Sequence, residues 1–431
     1  MPRQEDRITP RSAVSTGVGL AGLAGLLGWT GFAIAHGLDG PFAALANILF
    51  CGLPMVIWSL AIDRVHRNPT TGIDWDAAPR PLGAIIEISL AKLAGLWATW
   101  ALIAALYWLG RWYWTGQYLF AMQVMGLAAL PLFLLSIPYV MWLDRRLIEP
   151  RDGAWHLGVL LMGRAGAERS AIAGHLRAWA VKGFFLAFMI SIVPPGFRDV
   201  VTADFGLIQR DPVALAQWLI LLMFVIDVAF ATIGYLLTMR PLDAHIRSAN
   251  PHAAGWVAAL ICYPPFILMS PGGPLDYHPG SAEWVFWLQG QPFLLSLVAF
   301  VLVGLTAIYA WATVAFGLRF SNLTDRGIIT HGPYRWTKHP AYLSKNLFWW
   351  IAGLPFLVTT GDMGEAIRNT ALLAIVSGIY YWRAKTEERH LAANPDYAPY
   401  AAWMARNGAI TRLFSRRGQR NAGWRAADPA Q

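Results

Sequence analysis

Residues 292–317 read PFLLSLVAFVLVGLTAIYAWATVAFG, a run of apolar and small residues without a single charge. About 20 such residues in a helix cross the hydrocarbon core of a bilayer, so the run predicts a transmembrane helix. The whole chain has the same character, because 56% of its 431 residues are apolar and only 14% are charged. This composition excludes an ordinary soluble protein. We therefore expect an all-α, polytopic integral membrane protein.

Nine further apolar runs bring the prediction to about ten transmembrane helices. The predicted spans are residues 13–36, 41–62, 84–109, 119–143, 183–197, 213–238, 253–270, 292–317, 346–360 and 366–382. Several of them are short, which leaves their ends open. An even number of spans places both termini on the same side of the membrane.

The net charge of +9 is explained by the membrane topology. With the N-terminus inside, the cytoplasmic segments hold 29 of the 34 lysines and arginines. Cytoplasmic loops of membrane proteins carry such an excess, and they lie on anionic lipid. We expect membrane lipids and no nucleic acid as partners, and an integral protein of a bacterial inner membrane with both termini in the cytoplasm. The oligomeric state is open.

The two cysteines, Cys51 and Cys262, both fall inside predicted spans. This placement argues against a disulfide framework and against a cysteine metal site. No metal is expected.

Polar chemistry is concentrated near the C-terminus, first in the segment GIITHGPYRWTKHPAY, residues 327–342. Glycine and proline predict a turn-rich loop, which the topology places on the cytoplasmic face. A loop that presents a cation, an imidazole and two phenols suits a polar cofactor at the membrane surface. A basic loop resting on lipid headgroups would explain Arg335 and Lys338 but not the clustering of His339, Pro340 and Tyr342.

A second polar segment, RAKTEERHLAANPDYAPY, follows the last predicted span at residues 383–400. On a continuing helix, Arg383 and Glu387 are four residues apart and Lys385 and Glu388 three apart. Surface ion pairs of about 0.2–0.5 kcal/mol each would account for that spacing. The sharper interpretation is that these charges leave the bilayer beside the first polar segment and close one pocket with it.

Together these segments resemble the isoprenylcysteine carboxyl methyltransferases and related membrane lipid methyltransferases. That family has a glycine and an aromatic residue before Arg-His-Pro-x-Tyr, then a helical hairpin, Arg-x-Arg-Thr-Glu-Glu and a closing Tyr-x-x-Tyr. The corresponding residues are Gly332-Pro333-Tyr334, Lys338-His339-Pro340-Ala341-Tyr342, Arg383-Ala384-Lys385-Thr386-Glu387-Glu388 and Tyr397-Ala398-Pro399-Tyr400. The resemblance covers roughly the last 120 residues. Lys338 and Lys385 stand where the family has arginine, and Ser344 where a glycine is common.

The resemblance implies S-adenosylmethionine bound on the cytosolic side and a lipophilic acceptor, an isoprenoid or a lipid, that enters from the membrane. It assigns a cofactor-binding role to Tyr334, Lys338, His339, Pro340, Tyr342, Glu387 and Glu388. It assigns a catalytic role, holding the anionic group of the acceptor, to Arg383 and Lys385. Carboxylates suit the ammonium and ribose hydroxyls of the cofactor, and cations can orient an acceptor for in-line attack on a sulfonium methyl group.

Two other classes of function remain open. A sterol-reductase-like enzyme has about ten spans and a comparable His-Pro-x-Tyr loop but uses NADPH, and its terminal Arg-Asp-x-x-x-Cys element is absent here. A lipid transporter or non-catalytic scaffold would explain the N-terminal spans, but it leaves the paired terminal motifs unexplained. Methyl transfer accounts for the most residues.

Asp227 falls near the middle of a predicted span, where an ionised group costs about 2.5–3.5 kcal/mol and usually faces a partner or a wet cavity. It predicts either a structural ion pair, with Lys92 the nearest candidate by depth, or a lining residue of a lipid headgroup pocket. We expect three regions: a multi-span N-terminal domain of unknown role (1–290), a methyltransferase-like membrane domain (291–415) and a disordered tail (416–431).

Overall fold

The computed structural model describes residues 9–409 and is almost entirely helical. In this part of the chain the helices are α1 (Thr16–His36), α2 (Pro41–Ile57), α3 (Leu82–Gly110), α4 (Leu119–Asp144), α5 (Gly153–Leu161), α6 (Arg169–Val201), α7 (Phe205–Ile208), α8 (Pro212–Leu236), α9 (Ala253–Leu260), α10 (Trp284–Trp287), α11 (Pro292–Phe316), α12 (Pro340–Gly353), α13 (Met363–Leu391) and α14 (Tyr397–Asn407). Two-residue strands, β1 (Ser248–Ala249) and β2 (Thr324–Asp325), pair antiparallel. The predicted all-α class is confirmed, and the predicted tail at 416–431 lies outside the described residues.

Seven helical segments among residues 9–409 are long and apolar enough to cross a membrane. They are Thr16–His36, Pro41–Ile62, Leu82–Gly110, Gly116–Asp144, Arg169–Val201, Pro212–Leu236 and Pro292–Arg319. Each coincides with a predicted span, although α6 begins 14 residues before the predicted start at 183. The protein is therefore a polytopic membrane protein.

The other three predicted spans differ from simple membrane-crossing helices. Residues 253–270 are helical only in α9, which ends at Leu260, because the prolines and glycines that follow favour turns. Helix α12 has 14 residues, or about 21 Å at about 1.5 Å per residue, which is short for a bilayer core of about 30 Å. Helix α13 has 29 residues but carries charged residues at both ends. The count of ten spans is not confirmed.

Helix α8 lies at the centre of the bundle and packs against α2, α6 and α11. Half of its most apolar 18-residue window is buried, the largest share among the seven candidate spans of residues 9–409. Near the end of α8, Gly234 touches the loop that follows α11. A Cβ atom added there would lie 2.2 Å from the carbonyl oxygen of Phe320, so only glycine allows this approach. The contact fixes the loop that leads to the polar segments.

The loops predicted to share one side of the membrane meet at one end of the bundle. The Ser12 hydroxyl lies 2.8 Å from Nδ1 of His331. Arg319 forms a 2.8 Å ion pair with Asp243, whose carboxylate also accepts a 3.0 Å hydrogen bond from Asn68. These contacts join residues that are 76 to 319 positions apart in sequence. They build a rigid platform next to the C-terminal polar segments.

Arg326 is the centre of that platform. It is 3% exposed, and its guanidinium donates to backbone carbonyls of the segment after α8 and of the loop after α11. Because carbonyl oxygens at helix ends lack partners within the helix, one guanidinium with five N–H donors can satisfy several of them. Arg326 therefore ties the end of α8 to the end of α11.

Of the two interpretations of Asp227, the ion pair with Lys92 is wrong. Lys92 of α3 instead forms ion pairs of 2.5 Å with Asp144 and 3.2 Å with Asp152. These two carboxylates lie at the end of α4 and the start of α5, and α5 packs closely against α3. The predicted depth of a residue in the membrane could not identify the partner of Lys92, because depth does not specify which helices are neighbours.

Candidate functional site

The first polar segment forms a compact loop ahead of α12. Pro333 and Tyr334 lie in a short 3₁₀ turn, and the backbone carbonyl of Tyr334 accepts a 2.9 Å hydrogen bond from the hydroxyl of Tyr400. Pro340 begins α12, where its fixed φ suits the first helical position and its missing N–H costs nothing. The loop and the closing Tyr-x-x-Tyr segment are thus held together, as their resemblance to one motif set predicts.

Helices α12 and α13 bring the two polar segments into direct contact. Nε2 of His339 lies 3.0 Å from Oε1 of Glu388, and Nζ of Lys338 lies 2.9 Å from the same oxygen. The hydroxyl of Tyr342 donates to the Glu387 carboxylate. Residues about 50 positions apart in sequence therefore form one charged cluster.

A cavity of about 170 Å³, partly open to solvent, lies beside this cluster. Six of the predicted site residues line it: Tyr334, Lys338, His339, Tyr342, Arg383 and Glu387. The other three predicted residues do not. Pro340 begins α12, and Glu388 anchors the side chains of Lys338 and His339. Lys385 has a half-exposed side chain that pairs with Glu388 at 3.2 Å and lies over the ring of Tyr381.

The hydrogen bonds to Glu388 keep its carboxylate ionised. The bond from His339 is the largest cause that lowers the pKa of Glu388 to about 2, followed by Lys338, and burial opposes them. A carboxylate that accepts several hydrogen bonds and sits beside a cation prefers its charged form. Glu388 therefore holds Lys338 and His339 in place over the whole physiological pH range.

The polar and aromatic residues of the cavity wall follow one another in a fixed order along the antiparallel helices α12 and α13. His339 faces Glu388, Tyr342 faces Glu387, and the Trp349 ring packs 5.1 Å from Tyr380. With a rise of about 1.5 Å per residue, each step along α12 moves about 5–10 Å into the bundle. The acidic residues thus lie at the end nearest the loops, and aromatic residues lie further in.

Arg383 lies between these levels and is only 3% exposed. Its Nη2 donates a 2.5 Å hydrogen bond to the amide oxygen of Asn322. The amide nitrogen of Asn322 donates to the hydroxyl of Tyr235 at 2.7 Å and is 3.4 Å from that of Tyr263. Since Tyr235 belongs to α8 and Tyr263 follows α9, the N-terminal region orients this guanidinium.

Two of the buried polar atoms on the cavity wall that have no hydrogen-bond partner within residues 9–409 lie on the C-terminal helices α13 and α14. They are Nε of Arg383 and the hydroxyl of Tyr397. Buried polar groups are nearly always paired, because an unpaired one costs about 1–3 kcal/mol. Both atoms can therefore bind a polar ligand in the cavity.

Asp227 takes a third arrangement that the sequence did not suggest. It is 9% exposed, and its two carboxylate oxygens accept hydrogen bonds of 2.7 Å from Tyr309 and 2.5 Å from Thr313. Both hydroxyl residues belong to α11 and line the cavity, whereas Asp227 stands behind them. The carboxylate thus fixes a part of the cavity wall from α8.

Several wall residues were missed by sequence reasoning: Tyr263, Tyr309, Thr313, Asn322 and Lys345. Tyrosine, threonine and asparagine in apolar runs are common, so they carry no distinctive pattern. A lysine beside a predicted span was counted only as a topology signal. The intramembrane Asp227 was an indication that the N-terminal spans reach the site.

The fold and the site together define a helical membrane protein with a polar cavity at one end of the bundle. The C-terminal helices line this cavity. Residues 293–393 match the isoprenylcysteine carboxyl methyltransferase (ICMT) family. The match begins in α11 and includes every predicted site residue, so the predicted family resemblance of the C-terminal part is confirmed. No curated protein and no solved structure matches the chain.

Proposed function

We propose that the protein transfers a methyl group from S-adenosylmethionine to a lipophilic acceptor, an isoprenoid or a lipid. The observation that carries the proposal is the meeting of both family motifs on one cavity within the matched region. We place the cavity at the cytoplasmic face of a bacterial inner membrane, with both termini in the cytoplasm. The distribution of lysine and arginine supports that orientation.

The residues on the cavity wall fit this cofactor. The Glu387 carboxylate can accept hydrogen bonds from an ammonium group or from ribose hydroxyls, and the unpaired Tyr397 hydroxyl can donate or accept one. The aromatic rings of Tyr334 and Tyr342 offer faces that attract a cation. When bound, S-adenosylmethionine supplies a methyl group on a positively charged sulfur.

The role of the chain is to bring the reactants into line. Glu387 receives a hydrogen bond from Tyr342 and lies 3.6 Å from Nε of Arg383, so the carboxylate and the guanidinium are held side by side. A cofactor at the carboxylate and an acceptor at the guanidinium would then be neighbours. Proximity and orientation alone can supply most of the rate enhancement of such a transfer. We assign Arg383 to the acceptor and Glu387, Lys338 and His339 to the cofactor side.

We divide the chain functionally in the same way. Residues 291–415 form the methyltransferase-like domain, and residues 1–290 complete and orient its acceptor side. The hydrogen bonds from Asn322 to Tyr235 and Tyr263 support a direct contribution of the N-terminal region.

Calorimetric binding to the detergent-purified protein tests the cofactor. We expect S-adenosylmethionine and its demethylated product to bind, and the Glu387→Gln variant to bind both at least tenfold more weakly. Glu365→Gln, at the opposite end of the same helix, is the matched control and should bind as the wild type does. Binding of NADPH in place of S-adenosylmethionine would overturn the proposal in favour of a reductase.

Methyl transfer itself is tested with S-adenosylmethionine that carries a radiolabelled methyl group. Membranes containing the protein are supplied with isoprenoid or lipid acceptors, and label in the organic phase is counted. Label in an extracted lipid supports the proposal. If the cofactor binds and every acceptor stays unlabelled, the lipophilic acceptor is wrong.

A further inference from the structure

Lys345 is a cation on the cavity wall that neither polar motif contains. It lies on α12, six residues after His339, which places it about 9 Å further along the helix. Its Nζ lies 5.5 Å from the ring centre of Tyr309, 5.2 Å from that of Trp349 and 5.8 Å from that of Tyr380. An ammonium group is thus surrounded by aromatic rings well inside the cavity.

Apart from these three aromatic rings, the ammonium group has no direct partner among residues 9–409. Within residues 9–409, Lys345 makes neither a salt bridge nor a side-chain hydrogen bond. The carboxylate that acts on it electrostatically is Asp227, whose two oxygens accept hydrogen bonds from Tyr309 and Thr313. Asp227 therefore offsets part of the charge from a distance and leaves the three N–H donors of Lys345 free.

A free ammonium group at this depth is costly unless something binds to it. Charged groups inside a membrane protein usually face a partner or a water-filled cavity. Arg383 lies on the same wall and has an unpaired Nε, and both residues contact the ring of Tyr380. The two cations line one cavity and contact the same tyrosine ring, and each has N–H donors without a hydrogen bond, so together they form a site for an anionic oxygen.

We propose that Lys345, together with Arg383, binds an anionic oxygen group, a carboxylate or a phosphate, of the lipophilic acceptor. Lys345 thereby takes the role that the sequence pattern assigned to Lys385, whose side chain points away from the cavity wall. That the bound anion is the methyl acceptor rests on the proposed methyl transfer. The preference of the site for an anion does not.

Lys345 would select the acceptor by its charge. Hydrogen bonds between two charged partners are about twice as strong as neutral ones. A neutral alcohol in the same place would add no counter-charge for the two cations, whose neighbouring carboxylates, Asp227 for Lys345 and Glu387 for Arg383, already accept hydrogen bonds from other side chains. The apolar tail of the acceptor would extend along the aromatic side chains, including Trp349 and Tyr309.

The experiment measures binding of radiolabelled farnesoic acid, farnesyl phosphate and farnesol to the full chain in phosphatidylcholine nanodiscs. We expect the two anions to bind at least tenfold more tightly than the alcohol. Lys345→Met should abolish this preference, and Lys345→Arg should retain it. Lys182→Met is the matched control, because Lys182 also lies over an aromatic ring, that of Trp179 on α6, but does not line the cavity, and it should leave the preference unchanged.

Two outcomes would overturn the inference. If the wild type binds farnesol as tightly as the anions, the site does not recognise charge. If Lys345→Met weakens S-adenosylmethionine but not 5′-methylthioadenosine, which lacks the carboxylate, Lys345 binds the cofactor instead of the acceptor. Cofactor binding is measured on the same samples, so failure of the proposed methyl transfer is distinguished from failure of the anion site.

A purely structural role for Lys345 is separated by stability. Such a role would mean that Lys345 only offsets the charge of Asp227. Lys345→Met should then lower the melting temperature and the added Asp227→Asn should restore it, while both variants prefer the anions as the wild type does. We expect instead that the double variant stays folded and binds the anions no more tightly than farnesol.

Discussion

At the scale of single residues, the site depends on a few side chains that each satisfy several partners. Asn322 is the clearest case, because its one amide joins Arg383 to Tyr235 and Tyr263. Glu388 does the same for Lys338 and His339. Such residues position the charged groups that face the cavity, Asn322 from the cavity wall and Glu388 from behind it.

The Tyr235 hydroxyl provides a test of the Asn322 network. Tyr235→Phe removes the acceptor for two N–H groups of Asn322, which should cost about 1–3 kcal/mol of stability. We also expect about tenfold weaker binding of farnesoic acid with unchanged binding of S-adenosylmethionine, because Arg383 loses its orientation. Tyr381→Phe, at an exposed tyrosine, should change neither. An equal loss of both ligands would indicate a general structural defect.

Glu388 makes a prediction about pH. Its folded-state pKa of about 2 lies below the ordinary glutamate value of 4.5, so its contribution to stability is present above pH 4.5 and is lost as the pH falls towards 2. The wild type should therefore melt roughly 2–4 °C above Glu388→Gln at pH 6. That difference should shrink at pH 3, measured by thermal unfolding in detergent. A difference that is constant with pH would mean that the ionised carboxylate contributes nothing.

At the scale of elements, close approaches of backbone decide where the site loops lie. The contact of α8 with Phe320 at Gly234 places the loop after α11, and that loop carries Asn322. Helices α12 and α13 are then arranged side by side by their aromatic and polar contacts, including the 3.1 Å hydrogen bond from Trp350 to Ser377. The order of residues along these helices sets the order of charges in the cavity.

Substitution of Gly234 should disturb that arrangement. Gly234→Ala places a methyl group 2.2 Å from a backbone oxygen, and overpacking of this kind costs about 1–3 kcal/mol. Gly304→Ala on α11, where nothing lies within 4 Å, should instead stabilise the helix by roughly 0.5–1 kcal/mol. The measurement is the shift in melting temperature of each variant. Shifts of the same sign would contradict the close contact.

At the scale of the whole molecule, the family match covers only the last part of the chain, yet the cavity depends on the rest. Tyr263 lines the cavity, and Tyr235 and Asp227 orient wall residues from behind. All three lie outside residues 293–393. The N-terminal spans therefore belong to the same structural unit as the site.

A shortened chain that begins at residue 290 tests this dependence. It would leave the buried Asn322, Arg326 and Tyr309 without their partners on α8 and after it. We expect it to lose anion selectivity and methyl transfer, assayed as above beside the full chain. Full activity and selectivity in the shortened chain would refute a role for the N-terminal spans.

The sequence by itself determined that this protein lies in a membrane, that it is helical and which family its C-terminal part resembles. Apolar runs such as 292–317 need no partner to specify a helix in a bilayer, since only a helix or a closed barrel satisfies its own backbone there. The paired polar segments at 327–342 and 383–400 likewise carried the family resemblance, because their spacing is local in sequence. Six of the nine predicted site residues accordingly line the cavity.

Only the tertiary structure decided which charged side chains pair with one another and which of them face the cavity. Whether Lys92 meets Asp227 or Asp144, and whether Lys345 or Lys385 faces the cavity, depends on which helices are neighbours and how each is rotated. Lys345 and Lys385 look alike in sequence, each a lysine beside an apolar run. Packing of α12 against α11 turns Lys345 to the cavity, while Lys385 stays half exposed. Contacts between distant segments leave no periodic trace in the chain, so the sequence could not distinguish the two lysines.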